Sequence, residues 1–497
     1  MRWRQPPRAS APPACRSGWP RGCRRDAEMA LPRLPPGTVL DGFTLGPLLH
    51  KGGMAGLYET THPDWPDTKL LMKLPRLQEG EDPAAIVSFE MELMILPRLS
   101  GPHVPRFIAA RGFEAQPYLV MERIEGASLR PMLEDLPRPI AEVADLGARI
   151  ARALDSLHRQ HVVHLDVKPS NILLRPDGRV VLIDFGLSHH AHLPDLMREE
   201  FRLPYGTAPY MAPEQVMGLR GDPRSDLFAL GVLLYFFTTG ARPFGDPQRL
   251  SGLKRRLWRD PVPPRALRPD CPPWLQETIL RCLEVDPARR HPSAAQLAFD
   301  LAQPEQVALT ARAAKLRRDG WAAVIRRRFN PEAQPVFRLP GPARQQARAP
   351  ILAVAVDLAD PPKTPPEALR DAVARILATL PGARLACLTV QKQNLVAPDS
   401  DLDREGRNRH ALALAGLKHW AAPLGLPEER VSCHVLEAVS VPAALLDYVT
   451  ANRVDHVVLG CRPPAQRPRW SGSVSAELAE KAPCSVTVVR QRPAAEP

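Results

Sequence analysis

A chain of 497 residues, 44% apolar and 24% charged, is too long for one ordinary core and predicts two or three globular domains. Its net charge of +12 is carried mostly by arginine dispersed through Pro-Ala-Arg stretches, among 58 prolines, and no nucleic-acid motif accompanies it, which argues against a nucleic-acid partner. Eight cysteines without a C-x-x-C pair argue against a zinc site or disulfide framework and fit a reducing cytoplasm, and the longest apolar run, Ala229 to Phe237, is far short of the ~20 residues of a membrane helix.

Residues 1–40 are rich in Pro, Arg and Ala without a period, and no apolar stretch there makes a secretory signal. They are read as a basic disordered tail or, in preference, as sequence upstream of a true start at Met29. From Asp41 the pattern becomes strand-like, through L-G-P-L-L-H-K-G-G-M-A-G-L-Y, and L-L-M-K places Lys73 on a strand. A helix is predicted from about Ala84 to Leu96, carrying Phe89, Glu90 and Glu92. A strand follows in Y-L-V-M-E-R-I-E-G-A-S-L, and Val143, Leu146, Ile150, Leu154 and Leu157 give Ala141 to His158 the spacing of a buried helix.

The next stretch organises the rest. It reads H-V-V-H-L-D-V-K-P-S-N-I-L-L from His161, then V-L-I-D-F-G-L, then G-T-A-P-Y-M-A-P-E ending at Glu214. It supplies a carboxylate able to accept a hydroxyl proton (Asp166), a cation beside it (Lys168), and an amide and second carboxylate able to hold magnesium (Asn171, Asp184). The layout resembles that of eukaryotic-like serine/threonine protein kinases, whose motifs are H-R-D-L-x-x-x-N, D-F-G and A-P-E. Leu165 departs from it, standing where the family has Arg.

The resemblance implies a bilobal α+β fold, ATP and Mg2+ as cofactors, and protein substrates phosphorylated on Ser or Thr, the K-P-S-N stretch being closer to that class than to the tyrosine class. It implies that Lys73 reaches the ATP phosphates and that Glu92, with Glu90 as runner-up, orients it. Met121 backs the adenine pocket, and the backbone of Glu122 to Ile124 meets the adenine edge. Asp166 is then the base and orienter, Lys168 lies near the γ-phosphate, and Asn171 and Asp184 bind the metal. The glycine-rich loop is degraded: of G-x-G-x-x-G only Gly52 keeps its place, with Gly53 beside it, so weakened ATP affinity is expected. Asp226, in S-D-L-F-A-L-G, matches the residue that braces the catalytic loop. Arg290, in D-P-A-R-R-H-P-S-A, matches the ion-pair partner of Glu214. The domain is expected to span 41–302.

Residues 303–347 change character. A-R-A-A-K-L-R-R-D-G-W-A-A-V-I-R-R-R-F allows one basic amphipathic helix, read as a connecting helix packed on a neighbouring domain, before Pro and Arg dominate. From Ile351 strands and helices alternate, with a long helix at about Arg404 to Ala422 and another at about Pro442 to Ala451, which predicts a parallel sheet covered on both faces. The order of elements over 348–493 resembles a universal stress protein domain. Nucleotide-binding members carry G-x-x-G, nine residues, then G-S/T; here Pro463 stands in place of the second glycine after Gly460, and Gly472-Ser473 comes after a loop one residue short. Asp357 matches the acidic position near the nucleotide. Two readings stay open: a second nucleotide site at Asp357, Gly460, Gly472 and Ser473, or a sensing or dimerising domain without ligand, pairing along Val486 to Val489.

The expected function is Ser/Thr phosphorylation in stress signalling, with the C-terminal domain as regulator. The alternatives are a catalytically weak pseudokinase scaffold and a nucleotide-binding stress protein that the kinase half regulates. Between Gly186 and Gly206 the only Ser or Thr is Ser188. With Leu165 in place of Arg, this predicts a kinase not switched on by activation-loop phosphorylation.

Overall fold

The computed structural model describes residues 34–52, 55–77, 82–329, 349–358, 366–394, 400–403, 405–461 and 474–490. The tail at 1–33, Gly53, Pro463, Gly472 and Ser473 lie outside them. The chain builds a bilobal kinase fold followed by an α/β domain.

The small lobe is a six-stranded antiparallel sheet of β1 (Val39–Leu40), β2 (Phe43–Lys51), β3 (Ala55–Thr61), β4 (Leu70–Pro75), β5 (Phe107–Arg111) and β6 (Tyr118–Glu122), ordered β1-β2-β3-β4-β6-β5. Because β1 pairs with β2, the sheet begins two residues ahead of Asp41. One helix, α1 (Pro83–Ile95), accompanies it. Asp82 caps that helix by accepting the Ala84 N–H at 2.9 Å, and Pro83, lacking an N–H, fits the first position.

The large lobe is helical around α2 (Ile140–His158) and α5 (Arg224–Thr239), with the short helices α3 (Leu196–Glu200) and α4 (Pro213–Val216) between them. α5 carries the longest apolar run and is buried nearly all round, and Gly240 ends it in the left-handed region at φ +71°. The strands β7 (Ala127–Ser128), β9 (Ile172–Leu174) and β10 (Val180–Leu182) form one small sheet, and β8 (Val162–Val163) with β11 (His189–His190) another. These flank the catalytic loop and fix both its ends.

The single helix expected over 311–329 is instead two, Ala311–Ala314 and Trp321–Phe329. The cause is Gln276, whose amide donates to the carbonyls of Arg312, Ala313 and Lys315 at 2.7, 3.1 and 2.8 Å and so occupies acceptors a longer helix would use. These contacts, with Lys315 and Arg327 on Asp260, hold the segment against the large lobe.

The C-terminal sheet is wholly parallel, with β12 (Ile351–Ala355), β13 (Arg384–Lys392), β14 (Val431–Ala438), β15 (His456–Cys461) and β16 (Ser485–Arg490) in the order β14-β13-β12-β15-β16. The helix predicted from Arg404 begins at Arg409, after the cap Asn408. The Asp403 carboxylate takes the N–H groups of Glu405 and Arg407 at 3.0 and 2.8 Å, which turns the chain before it can wind. The other helix spans Val441–Asn452. One apolar cluster runs from α1, α2 and α5 into β12, β13 and the helix Arg409–Ala421.

Candidate active site

The catalytic loop is pinned from beneath before any reactive group is placed. Asp226, fully buried on α5, accepts the His164 N–H and the Leu165 N–H, each at 2.8 Å, and lies 2.8 Å from the His158 ring. Leu165 is buried and held at φ +63°, a left-handed backbone that a side chain resists and that these bonds sustain. Its carbonyl accepts from the Gln215 amide at 2.9 Å, tying the loop to α4. Glu214, the neighbour of Gln215, makes a buried bidentate pair with Arg290 at 2.6 and 2.8 Å and accepts the Ser225 hydroxyl at 2.6 Å. Removal of either member would leave a buried unpaired charge.

On this base three side chains converge on Asp166. Lys168 Nζ donates to its Oδ2 at 2.6 Å and the Asn171 amide to the same oxygen at 2.9 Å. Thr207 donates its hydroxyl to Oδ1 at 2.7 Å, and Lys168 also meets the Thr207 oxygen at 3.1 Å. Thr207 was not among the residues singled out from sequence. It sits in the quoted G-T-A-P-Y-M-A-P-E run, and the hydroxyl beside a glycine was the available signal.

The second cluster lies where β4, α1 and the D-F-G segment meet. Lys73 on β4 places Nζ 2.5 Å from Glu92 and 3.0 Å from Asp184. Burial opposes the Lys73 charge, but Asp184 and Glu92 outweigh it and push the ammonium above its ordinary value. Lys73 in turn holds the Asp184 carboxyl below its ordinary range. Asp184 takes φ +68°, another strained position, which turns its carboxylate back toward Lys73. Gly186 runs so close to α1 that a Cβ there would sit 2.1 Å from the Ser88 hydroxyl. Glu92 also accepts the Phe185 N–H at 3.4 Å, so α1 and D-F-G are joined twice. Glu90 faces elsewhere, onto Lys418 of the C-terminal domain at 2.5 Å.

Along the wall of the cleft, Met121 is buried on β6. The Glu122 and Arg123 N–H groups are spent on the carbonyls of Arg106 and Lys69, both at 2.8 Å, while no backbone partner is seen for the Ile124 N–H among the described residues. Gly52 closes the turn between β2 and β3 by donating to the Ala55 carbonyl at 3.0 Å.

For a divalent cation the donor set is all oxygen. Asn171 commits its amide hydrogens to Asp166, its Oδ1 accepts the Ser170 hydroxyl at 3.1 Å and keeps a second lone pair, and the Asp184 side chain is 45% exposed. Two such oxygens suit a hard ion that keeps several waters. No group of three or more His, Cys, Asp or Glu side chains able to hold a metal gathers among the described residues.

In the C-terminal domain Asp357 is exposed just past β12, and Gly460 lies on the neighbouring β15. These strand ends border the point where the sheet order reverses, the usual ligand crevice of such sheets. β16, with Val486 to Val489, is one of the two edge strands, β14 being the other.

Residues 51–300 match the family model described as protein kinase domain, and residues 351–490 that of the universal stress protein family. Similar proteins include a probable serine/threonine-protein kinase of Streptomyces coelicolor, 29% identical over 52% of this chain and 39% of the relative. A probable serine/threonine-protein kinase of Clostridium perfringens is 31% identical over 43% of this chain and 31% of the relative. The serine/threonine-protein kinase PknB of Mycobacterium leprae is 30% identical over 54% and 43%. The chain thus spans less than half the length of each of these relatives. Kinase motifs, bilobal fold and family match agree: the chain belongs to the protein kinase family and carries a universal stress protein domain behind its kinase domain.

Proposed function

We propose that the protein transfers the γ-phosphoryl group of ATP to Ser or Thr hydroxyls of protein substrates, with Mg2+, and that its C-terminal domain regulates this. The observation that carries the proposal is the convergence of Lys168, Asn171 and Thr207 on Asp166, opposite the Lys73–Glu92–Asp184 cluster. Bound ATP and its cation supply the phosphoryl group and neutralise charge; positioning falls to the protein. Asp166 orients the acceptor hydroxyl and takes its proton at the carboxylate, where Thr207 and Lys168 hold both oxygens in place. Lys73, fixed by Glu92, offers its ammonium to phosphate oxygens. Asn171 and Asp184 offer the oxygens for the cation.

The closed Lys73–Glu92 pair tells against the pseudokinase reading, because a scaffold has no need to orient that lysine. Pairing of two copies along β16 and location in the cytoplasm belong to the same proposal. No helix among the described residues is long and apolar enough to cross a membrane. A radiolabelled-ATP assay on the full chain, with casein as acceptor and Asp166→Asn alongside, tests the catalytic assignment. Transfer should fall at least ~100-fold in the variant, the scale of a lost catalytic base. Equal incorporation by both proteins would overturn it.

A further inference from the structure

The segment between Asp184 and Glu214 lacks the usual means of being held by phosphate. Leu165 offers no charge, and Ser188 is fully buried with its hydroxyl donated to the His164 carbonyl at 3.1 Å. Within the large lobe Arg220 holds the start of α3 through Asp195, at 2.9 Å, and the Leu187 carbonyl, at 2.7 Å; the two glutamates that end α3 are held instead by the C-terminal domain. Glu199 on α3 accepts from Arg384 of β13 at 2.7 Å, and its other oxygen lies 3.1 Å from the Ser432 hydroxyl, 3.0 Å from His434 Nε2 and 3.4 Å from the Tyr448 hydroxyl. The second ring nitrogen of His434 lies 3.3 Å from Glu200, and Asn452 donates to the Glu199 carbonyl at 2.9 Å. An imidazole with a carboxylate at each nitrogen donates through both, which the imidazolium alone can do. Two glutamates on α3 therefore face an arginine and a histidinium, a charge arrangement like that of a phosphorylated loop on its receptor, with the receptor in another domain.

The same domain reaches α1. Lys418 bonds Glu90 at 2.5 Å, on a different face of the helix from the Lys73–Glu92 pair. α1 is buried from Ala84 through Glu92 without interruption, which requires a cover on the face turned away from the sheet. Pro83 and Ile86 border a small pocket shared with Gln391, Lys392 and His410 of the C-terminal domain.

We infer that the C-terminal domain is the resident activator of the kinase: Arg384 and His434 hold the activation segment through Glu199 and Glu200, and Lys418 holds α1 through Glu90, in the placements that bring Thr207 to Asp166 and Glu92 to Lys73. These are positioning residues, and the inference rests on the kinase reading above.

The test uses the full chain, ATP and casein, with wild type and Asp166→Asn in the same assay. Glu90→Lys and Lys418→Glu alone should each lower kcat about tenfold, the scale of a typical coupling between sites, and the double reversal should recover most of it. Glu199→Gln should lower kcat comparably while the thermal transition stays cooperative. Singles with wild-type kcat, or folded singles whose loss the double reversal leaves untouched, would overturn the inference with the kinase reading intact. Should the singles fail to fold, a native and active double reversal supports the pairing, and a native double reversal with kcat still depressed overturns it. A wild type that transfers no phosphate removes the kinase reading and this inference with it.

Discussion

Asp166 accepts four hydrogen bonds through two oxygens, and each donor restricts it differently. Lys168 and Asn171 approach Oδ2, whereas the Thr207 hydroxyl and, at 3.3 Å, its N–H approach Oδ1. Deleting the hydroxyl in Thr207→Ala leaves Oδ1 with only the longer backbone N–H bond, and steady-state kinetics should show kcat lowered roughly tenfold to a hundredfold, with Thr207→Ser close to wild type. Lys73→Met breaks two ion pairs at once. It should abolish transfer while leaving Asp184 without the cation that depresses its pKa, so the Asp184 carboxyl should titrate at higher pH, which carboxyl NMR detects. Leu165→Arg would not install a phosphate switch. The side chain is buried and its backbone strained, so an arginine there buries an unpaired guanidinium, and denaturant unfolding should show a loss of several kcal/mol. Sequence alone carried the residues with fixed spacing. Thr207 escaped because its value comes from a 41-residue return to Asp166, which no local pattern records.

Among the elements, α1 and α3 do most to set the site, and both depend on partners distant in the chain. The existence and type of α1 and α2 were legible, α2 from its apolar spacing. The break between Ala311–Ala314 and Trp321–Phe329 was not, because it is imposed by Gln276 on α-helical carbonyls 36 to 39 residues away. Between α3 and the C-terminal sheet, pH gives a direct handle. Burial opposes the His434 charge, but Glu199 and Glu200 raise its pKa to about 9. The charged and titratable groups around it are Glu199 and Glu200 from α3, Arg384 from β13, Tyr448 from the helix Val441–Asn452 and His410 from the helix Arg409–Ala421. Glu199 is held well below the carboxylate range: burial opposes its charge, and Arg384 and His434 override that. A histidine with a raised folded pKa contributes stability fully below its unfolded value of ~6.5 and loses it as pH rises through the folded one. The melting temperature should therefore fall between about pH 7 and pH 9, and His434→Gln should flatten that slope.

At the scale of the molecule, the order of a kinase followed by an alternating α/β domain was legible from motifs and rhythm. What was hidden is that the two meet through Glu90, Glu199 and Glu200, acidic residues whose partners lie 185 to 328 residues further along the chain. Ser188 is sealed beneath the His164 carbonyl, so a broad-specificity phosphatase should leave the activity of the purified protein unchanged, and intact-mass analysis should show no modification in the loop on which activity depends.

The single apolar cluster that continues from α2 and α5 into β12 and β13 also bears on how the chain comes apart. Modules joined by a tether melt one after the other, each at its own temperature. A protein whose interior is shared between halves has no boundary along which to stop, so heat should take both through one calorimetric peak rather than two. A chain cut at the linker would then yield a kinase half with the flank of its regulatory helix laid bare to water, and that half should be the more prone to aggregate.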